Sequence, residues 1–143
     1  MSATNAFETS LLTLLFNNTN LANVGDATGL RGSTAAGSFF IALYTTAPTD
    51  STAGTEANYT GYARVAVNRT SGGWTISGNN ASNTGVISFP ACTGGTNTVT
   101  SFGILTASTA GDLLIYGALS ANRTITDGIT PEFAAGELDV NLD

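Results

Sequence analysis

Asp50, Glu56, Asp112, Asp127 and Glu132 are the side chains in this sequence best suited to acid–base work. A pair of carboxylates at a fixed separation is all that glycoside hydrolysis requires. Asp50 and Glu56 share one stretch, "APTDSTAGTEANYTG", and the other three fall among separate turn residues. No spacing brings two of them together, and carboxylates on loops ordinarily sit solvated. Nucleophilic catalysis has still less to work with: the chain has no histidine and no lysine, which removes Ser-His-Asp, Cys-His and Ser-Lys arrangements. Zinc and iron sites lack His and Cys ligands. A phosphate-cradling GxxxxGK motif needs a lysine, and no glycine-rich stretch leads from a strand into a helix as a dinucleotide site demands. No catalytic residue, cofactor or metal is expected.

Two other features resemble chemistry and resolve into structure. In the terminal "DVNLD", Asp139, Asn141 and Asp143 have the alternation of the first calcium-loop ligands, but no glycine turn and no closing glutamate follow. Strand alternation accounts for them, with Leu138, Val140 and Leu142 inward and the polar residues outward. Cys92 is alone, so it forms no internal bridge and reads as a small buried apolar residue.

The charge content bounds the partners. Only 10% of the 143 residues are charged, against roughly 25% in ordinary soluble domains. The surface is therefore built from Thr, Ser, Asn and Gly, and such neutral groups lose little solvation when another protein covers them. A net charge of -6 with four arginines opposes nucleic-acid binding, which draws on clustered cations. The apolar run "LLTLLF", Leu11 to Phe16, is far shorter than the roughly 20 residues of a membrane-spanning helix, and without a basic flank it does not read as a signal peptide. Five Asn-x-Ser/Thr sequons, at Asn17, Asn58, Asn68, Asn80 and Asn122, are what an Asn- and Thr-rich composition yields by chance.

The elements that must position these residues begin with one helix. "NAFETSLLTLLFNN" sets Phe7, Leu11, Leu14 and Leu15 along one stripe, with Asn5 as cap and Glu8 completing a capping-box-like pair. From Gly25 to Ser38 the small-residue run has no period and predicts a flexible arm. Beyond it come strand signals separated by turns: Phe39–Thr45, Tyr62–Asn68, Trp74–Ser77, Val86–Phe89, Val99–Leu105, Leu113–Leu119, Arg123–Thr126 and Glu137–Leu142. "TSGG" and "ASTAGD" are expected to close hairpins. Eight short strands without intervening helices predict an all-β fold, an antiparallel β-sandwich of jelly-roll type preceded by the amphipathic helix and arm. The expected organisation is residues 1–38 for helix and arm and 39–143 for the sandwich. Phe39 to Tyr44 is apolar on both faces and reads as a central strand, stopped by Pro48 at a turn through Ala47 to Asp50.

The order of segments adds a resemblance. The N-terminal helix, "IALYTTAPTD", "GYARVAV", "SFGILTASTAGDLLIYGALS" and "FAAGELDVNLD" together resemble a family of small tailed-bacteriophage virion proteins, labelled as capsid decoration (cement) proteins or as tail fibre proteins. The resemblance runs from Asn5 to Asp143 and rests on structural motifs. It implies a homo-oligomer, dimer or trimer, made in the host cytoplasm. It also implies binding to the major capsid protein on the outer capsid surface, which would make the chain a decoration protein that stabilises the shell. A tail fibre or tail-tip component and a carbohydrate-binding or carbohydrate-active module are the alternatives. Phe7, Leu11, Leu14, Leu15 and Phe16, with Pro48 and Asp50 at the neutral loop tip, are the expected contact residues for a neighbour or the shell.

Overall fold

The computed structural model describes residues 2–25 and 28–142. Asp143, the last residue of the calcium-like alternation, lies outside them. The chain contains one helix, α1 (Asn5–Asn17), followed by strands β1 (Ser38–Thr46), β2 (Thr55–Glu56), β3 (Val65–Asn68), β4 (Trp74–Ser77), β5 (Asn80–Asn83), β6 (Ile87–Ser88), β7 (Asn97–Leu105), β8 (Leu113–Ile125), β9 (Glu132–Phe133) and β10 (Asp139–Asn141). The structure is therefore mostly β, with antiparallel pairing. The strands form a five-stranded sheet in the order β2-β1-β7-β8 with β3 also on β1, a three-stranded sheet β10-β5-β4, and the pair β6-β9. The sheets are open.

Two compact units are interleaved along the chain. Where the sequence suggests a boundary after residue 38, the helix and its following segment group with Asn68–Ile87 and the C-terminal stretch from Phe133, and Phe39–Val67 groups with Ser88–Glu132.

In the first unit α1 lies on β4 and β5. Its cap is Thr4 rather than Asn5: the Thr4 hydroxyl accepts from the Phe7 N–H at 3.4 Å, so Glu8 falls one position too late for a capping box. The side chains turned inward are Glu8, Leu12 and Phe16, one residue further on than the expected stripe begins. Phe16 meets Trp74 edge to face at a centroid distance of 4.7 Å, and both are completely buried. Aromatic burial of this size decides the helix's rotation. Asn18 ends the helix in the left-handed region, φ 53°, a conformation Asn tolerates.

The expected flexible arm is corrected by hydrogen bonds. Asn18 Nδ2 donates to the Ser33 carbonyl at 2.8 Å and Asn18 Oδ1 accepts from the Ser33 N–H at 2.6 Å, while Leu21 and Leu30 form an antiparallel bridge. Arg69 finishes the arrangement. Its guanidinium donates to the helix-end carbonyls of Leu14 and Leu15 and to Ser33 Oγ and the Ala36 carbonyl. Backbone groups that turn back and pair in this way have no need of an extended path.

"TSGG" does not close a hairpin: β3 joins β1, and β4 turns through Gly78 and Asn79 into β5, with Ser77 opposite Asn80. Strand β5 carries the buried Ala81 and Asn83. Asn83 is fully served, its Oδ1 accepting from Leu138 N–H at 2.9 Å and its Nδ2 donating to the Gly85 and Ala134 carbonyls at 2.7 and 2.8 Å. A buried amide with every partner in place fixes the path of the C-terminal stretch.

In the second unit β1 is central, bonded to β2, β3 and β7, and Ile41 to Tyr44 are all buried. "ASTAGD" does close a hairpin, since β7 and β8 pair antiparallel from Leu105 opposite Leu113. The two expected strands Leu113–Leu119 and Arg123–Thr126 are one strand, and the anticipated break survives as a bulge: Val99 faces Arg123, yet Ser101 faces Ala118. Gly103 and Gly117 have a packing reason. A Cβ on Gly103 would lie 2.7 Å from Leu113 Cδ1 and 2.8 Å from Tyr44 Cε2, and one on Gly117 2.8 Å from Phe102 Cε1. The turn beyond β1 closes between Thr49 and Thr52 rather than through Ala47 to Asp50, because Pro48, with no N–H to pair, is turned into the interior.

Candidate interaction surface

Glu56 leaves β2 with its carboxylate already committed. Arg64 Nε and Nη2 donate to Oε1 and Oε2 at 2.9 and 2.8 Å, and Tyr62 Oη donates to Oε1 at 2.7 Å. Burial acts to raise the Glu56 pKa, but the hydrogen bonds from Arg64 and Tyr62 outweigh it and hold the carboxyl below its ordinary range. The same burial, with the bond to Glu56, pushes the Tyr62 phenol far up. Arg64 Nη1 continues the network to the Ala107 and Ala110 carbonyls at 2.8 and 2.7 Å. This is a pin across three segments, with its donors and acceptors matched internally.

Asp50 stands apart from Glu56 in its environment. It is exposed on the loop tip and its Oδ1 accepts from the Tyr116 hydroxyl at 2.7 Å, a bond that raises the Tyr116 pKa ahead of the contribution of desolvation. The phenol and carboxylate tie the loop to β8. On that strand the side chains alternate, with Leu113 and Ile115 half-buried while Leu114 is 50% exposed and Tyr116 40%. The strand's second apolar face is open.

The helix stripe divides when placed in the structure. Phe16 is part of the core, and Pro48 is likewise interior, so neither faces a neighbour. Phe7 and Leu15 are 44% and 38% exposed, and Leu11 and Leu14 are half-buried. Glu8, the only charged residue of α1, is turned inward. The open flank of the helix is apolar and uncharged.

Remaining residues singled out by type have structural places. Cys92 is buried and its thiol donates to the Gly94 carbonyl at 3.3 Å. Asp139 and Asn141 are the first and last residues of β10, and both accept from Asn80 Nδ2 at 3.1 Å. Among the described residues no group of three His, Cys, Asp or Glu side chains gathers to hold a metal, and no helix is long and apolar enough to cross a membrane. Tyr116 and Arg64, the partners of the two loop carboxylates, are missed by motif reading because 66 and 8 residues separate them from Asp50 and Glu56; only the sheet pairing joins them.

The body is antiparallel and strand-rich with partly apolar outer faces, and the family comparison makes it a structural protein of a bacteriophage particle. The chain belongs to the family described as Podophage GP4 fiber I protein gp80, whose model matches residues 2–141. No curated protein matches it.

Proposed function

We propose that the protein is a non-catalytic building block of the phage particle, a component of a fibre, that acts through protein contacts. The observation that carries this reading is the family match over nearly the whole chain, with a description that names a fibre protein. The uncharged flank of α1 and the open Leu114–Tyr116 face of β8 support it, since both are surfaces that lose little on being covered. A sandwich of jelly-roll type belongs to the same proposal and is supported by the antiparallel pairing. A second reading is decoration of the outer capsid surface on the major capsid protein; the scarcity of charge favours it, because a neutral hydroxyl-rich surface suits repeated, modest contacts over a shell.

Cryo-electron microscopy of purified virions, combined with quantitative mass spectrometry, tests the proposal. Density for this chain at the tail in low copy number is expected. Density tiling the shell in high copy number replaces the fibre reading with the decoration reading, and absence from purified particles overturns both.

A further inference from the structure

We propose that Asp127–Gly128 is a spontaneous modification site, where the main chain isomerises to a β-aspartyl linkage when the turn around it opens, and that the folded chain holds this reaction off. The inference goes beyond the virion reading and is independent of it. Asp127–Gly128 is the one step in the sequence where Asp or Asn precedes Gly. Glycine in the second place leaves the reacting amide nitrogen unshielded by a side chain. Both residues are exposed, and a Cβ built on Gly128 would meet nothing within 4 Å. Solvent reaches both reacting groups.

The reaction needs no partner but water. The Gly128 nitrogen attacks Asp127 Cγ, a C–N bond forms, and the amide proton leaves with the carboxyl hydroxyl as water, closing a succinimide ring. A second water then opens the ring. Addition at Cγ restores aspartate. Addition at the Asp127 main-chain carbonyl carbon breaks the bond from that carbon to the Gly128 nitrogen and leaves the chain running through Cγ. Nothing is oxidised or reduced, and the mass is unchanged.

Hydrogen bonds oppose the first step. The Ile129 N–H donates to the Thr126 carbonyl at 3.0 Å and Gly128 has φ 82°, which together make a type II turn with Asp127 and Gly128 at its centre. The Gly128 N–H is committed to the Cys92 carbonyl at 2.8 Å, and the Cys92 N–H returns a bond of 2.8 Å to the Ile129 carbonyl. Ring closure requires the Asp127–Gly128 peptide plane to turn toward the Asp127 side chain, which breaks the bond to Cys92. The reaction therefore proceeds through a locally opened loop, and its rate follows the population of that state. The product does not regain the native arrangement. Its β-linkage inserts a methylene between Asp127 and Gly128, so the two bonds to Cys92, set for an ordinary turn, are not both kept. Cys92, 1% exposed in the native fold, then loses the loop that pairs with it.

Ageing the isolated chain at neutral pH tests the inference. Isoaspartate, located by electron-transfer fragmentation, is expected at Asp127 ahead of Asp50, which is also exposed in a turn. It should form at least about tenfold more slowly in the folded chain than in guanidinium, a ratio set by the cost of opening the loop. Asp127→Asn follows the same route with loss of ammonia, and its conversion to Asp reads as a mass gain in the intact protein with the same dependence on folding. Ile129→Pro lacks the N–H that closes the turn and should react faster than wild type under folding conditions. The isomerised fraction, once separated, should label at Cys92 severalfold faster than unmodified chain. Equal rates in folded and denatured chain, or in Ile129→Pro and wild type, overturn the gate. Isoaspartate appearing first at another residue overturns the site, and equal thiol labelling of the two forms overturns the release of the loop.

Discussion

Arg64 forks onto Glu56, with Nε and Nη2 each on its own carboxylate oxygen at 2.9 and 2.8 Å, and its remaining nitrogen holds two carbonyls of the β7–β8 turn. One cation thus ties the β2 edge to a hairpin more than forty residues away in the chain. Removing either charge leaves the other partly buried without its counterpart. Arg64→Met is expected to cost about 2–4 kcal/mol, less than the full figure for a deeply buried pair because the Glu56 side chain is 26% exposed. Urea unfolding of the variant measures it.

The same pair sets an acid limit. Because the folded state holds the Glu56 pKa below its unfolded value, the unfolded chain binds the proton more readily, and the resulting stability is present above the ordinary glutamate pKa of 4.5 and lost as pH falls through the folded value. The urea midpoint of the wild type therefore drops as pH falls below about 4.5. In Glu56→Gln that part of the fall is flattened, and the variant is less stable than wild type at pH 7.

Phe16 and Trp74 provide a reporter for helix docking. Phe16→Ala removes a fully buried ring from the face of a fully buried indole and is expected to cost about 3–5 kcal/mol. Trp74 emission should shift to the red. An unshifted spectrum with unchanged stability would mean that α1 does not sit on β4 in solution.

What the sequence discloses about these elements follows from the range of the forces that make them. Trp74–Ser77 is legible to the residue because apolar and polar side chains alternate over a turn-bounded run. The strand next to it, "NASN", is not, since three of its four residues are polar and its only local sign is the Gly78-Asn79 turn. Helix α1 is legible as an element, but its inward face begins at Glu8, because the large ring of Phe16 finds Trp74 and turns the whole helix to suit. The loop carboxylates are recognisable by type alone. That Glu56 is pinned and Asp50 open depends on Arg64 and Tyr116, which only tertiary pairing delivers.

Asn83 is the polar counterpart of the aromatic contact. Asn83→Ala removes the side-chain partner of the Leu138 N–H and of the Gly85 and Ala134 carbonyls inside the first unit, of which Ala134 keeps the Glu137 N–H, and a loss of about 1–3 kcal/mol is expected from stranded buried groups. Hydrogen exchange should accelerate first at Leu138 and along Asp139–Asn141. Uniform acceleration over the whole chain would instead mark Asn83 as a support of global stability.

Gly103 illustrates a limit on packing. Gly103→Ala drives a Cβ to within 3 Å of both Leu113 and Tyr44, and overpacking of this kind costs about 1–3 kcal/mol. Gly103→Ala combined with Leu113→Ala should recover part of that loss, because the nearer of the two obstructing atoms is removed. Thermal unfolding of the single and double variants measures the recovery.

The use of arginine has a consequence for life outside a cell. Trypsin-like proteases cut after Lys or Arg in backbone that can be drawn out into a cleft. This chain has no lysine and four arginines. Arg64 is clamped by Glu56 and two carbonyls, and Arg69 closes the end of α1. Only Arg31 and Arg123 are exposed, and Arg123 lies within a paired strand opposite Val99. Arg31, exposed and outside helix and strand, is therefore the arginine at which a trypsin-like protease is expected to cut the folded chain first.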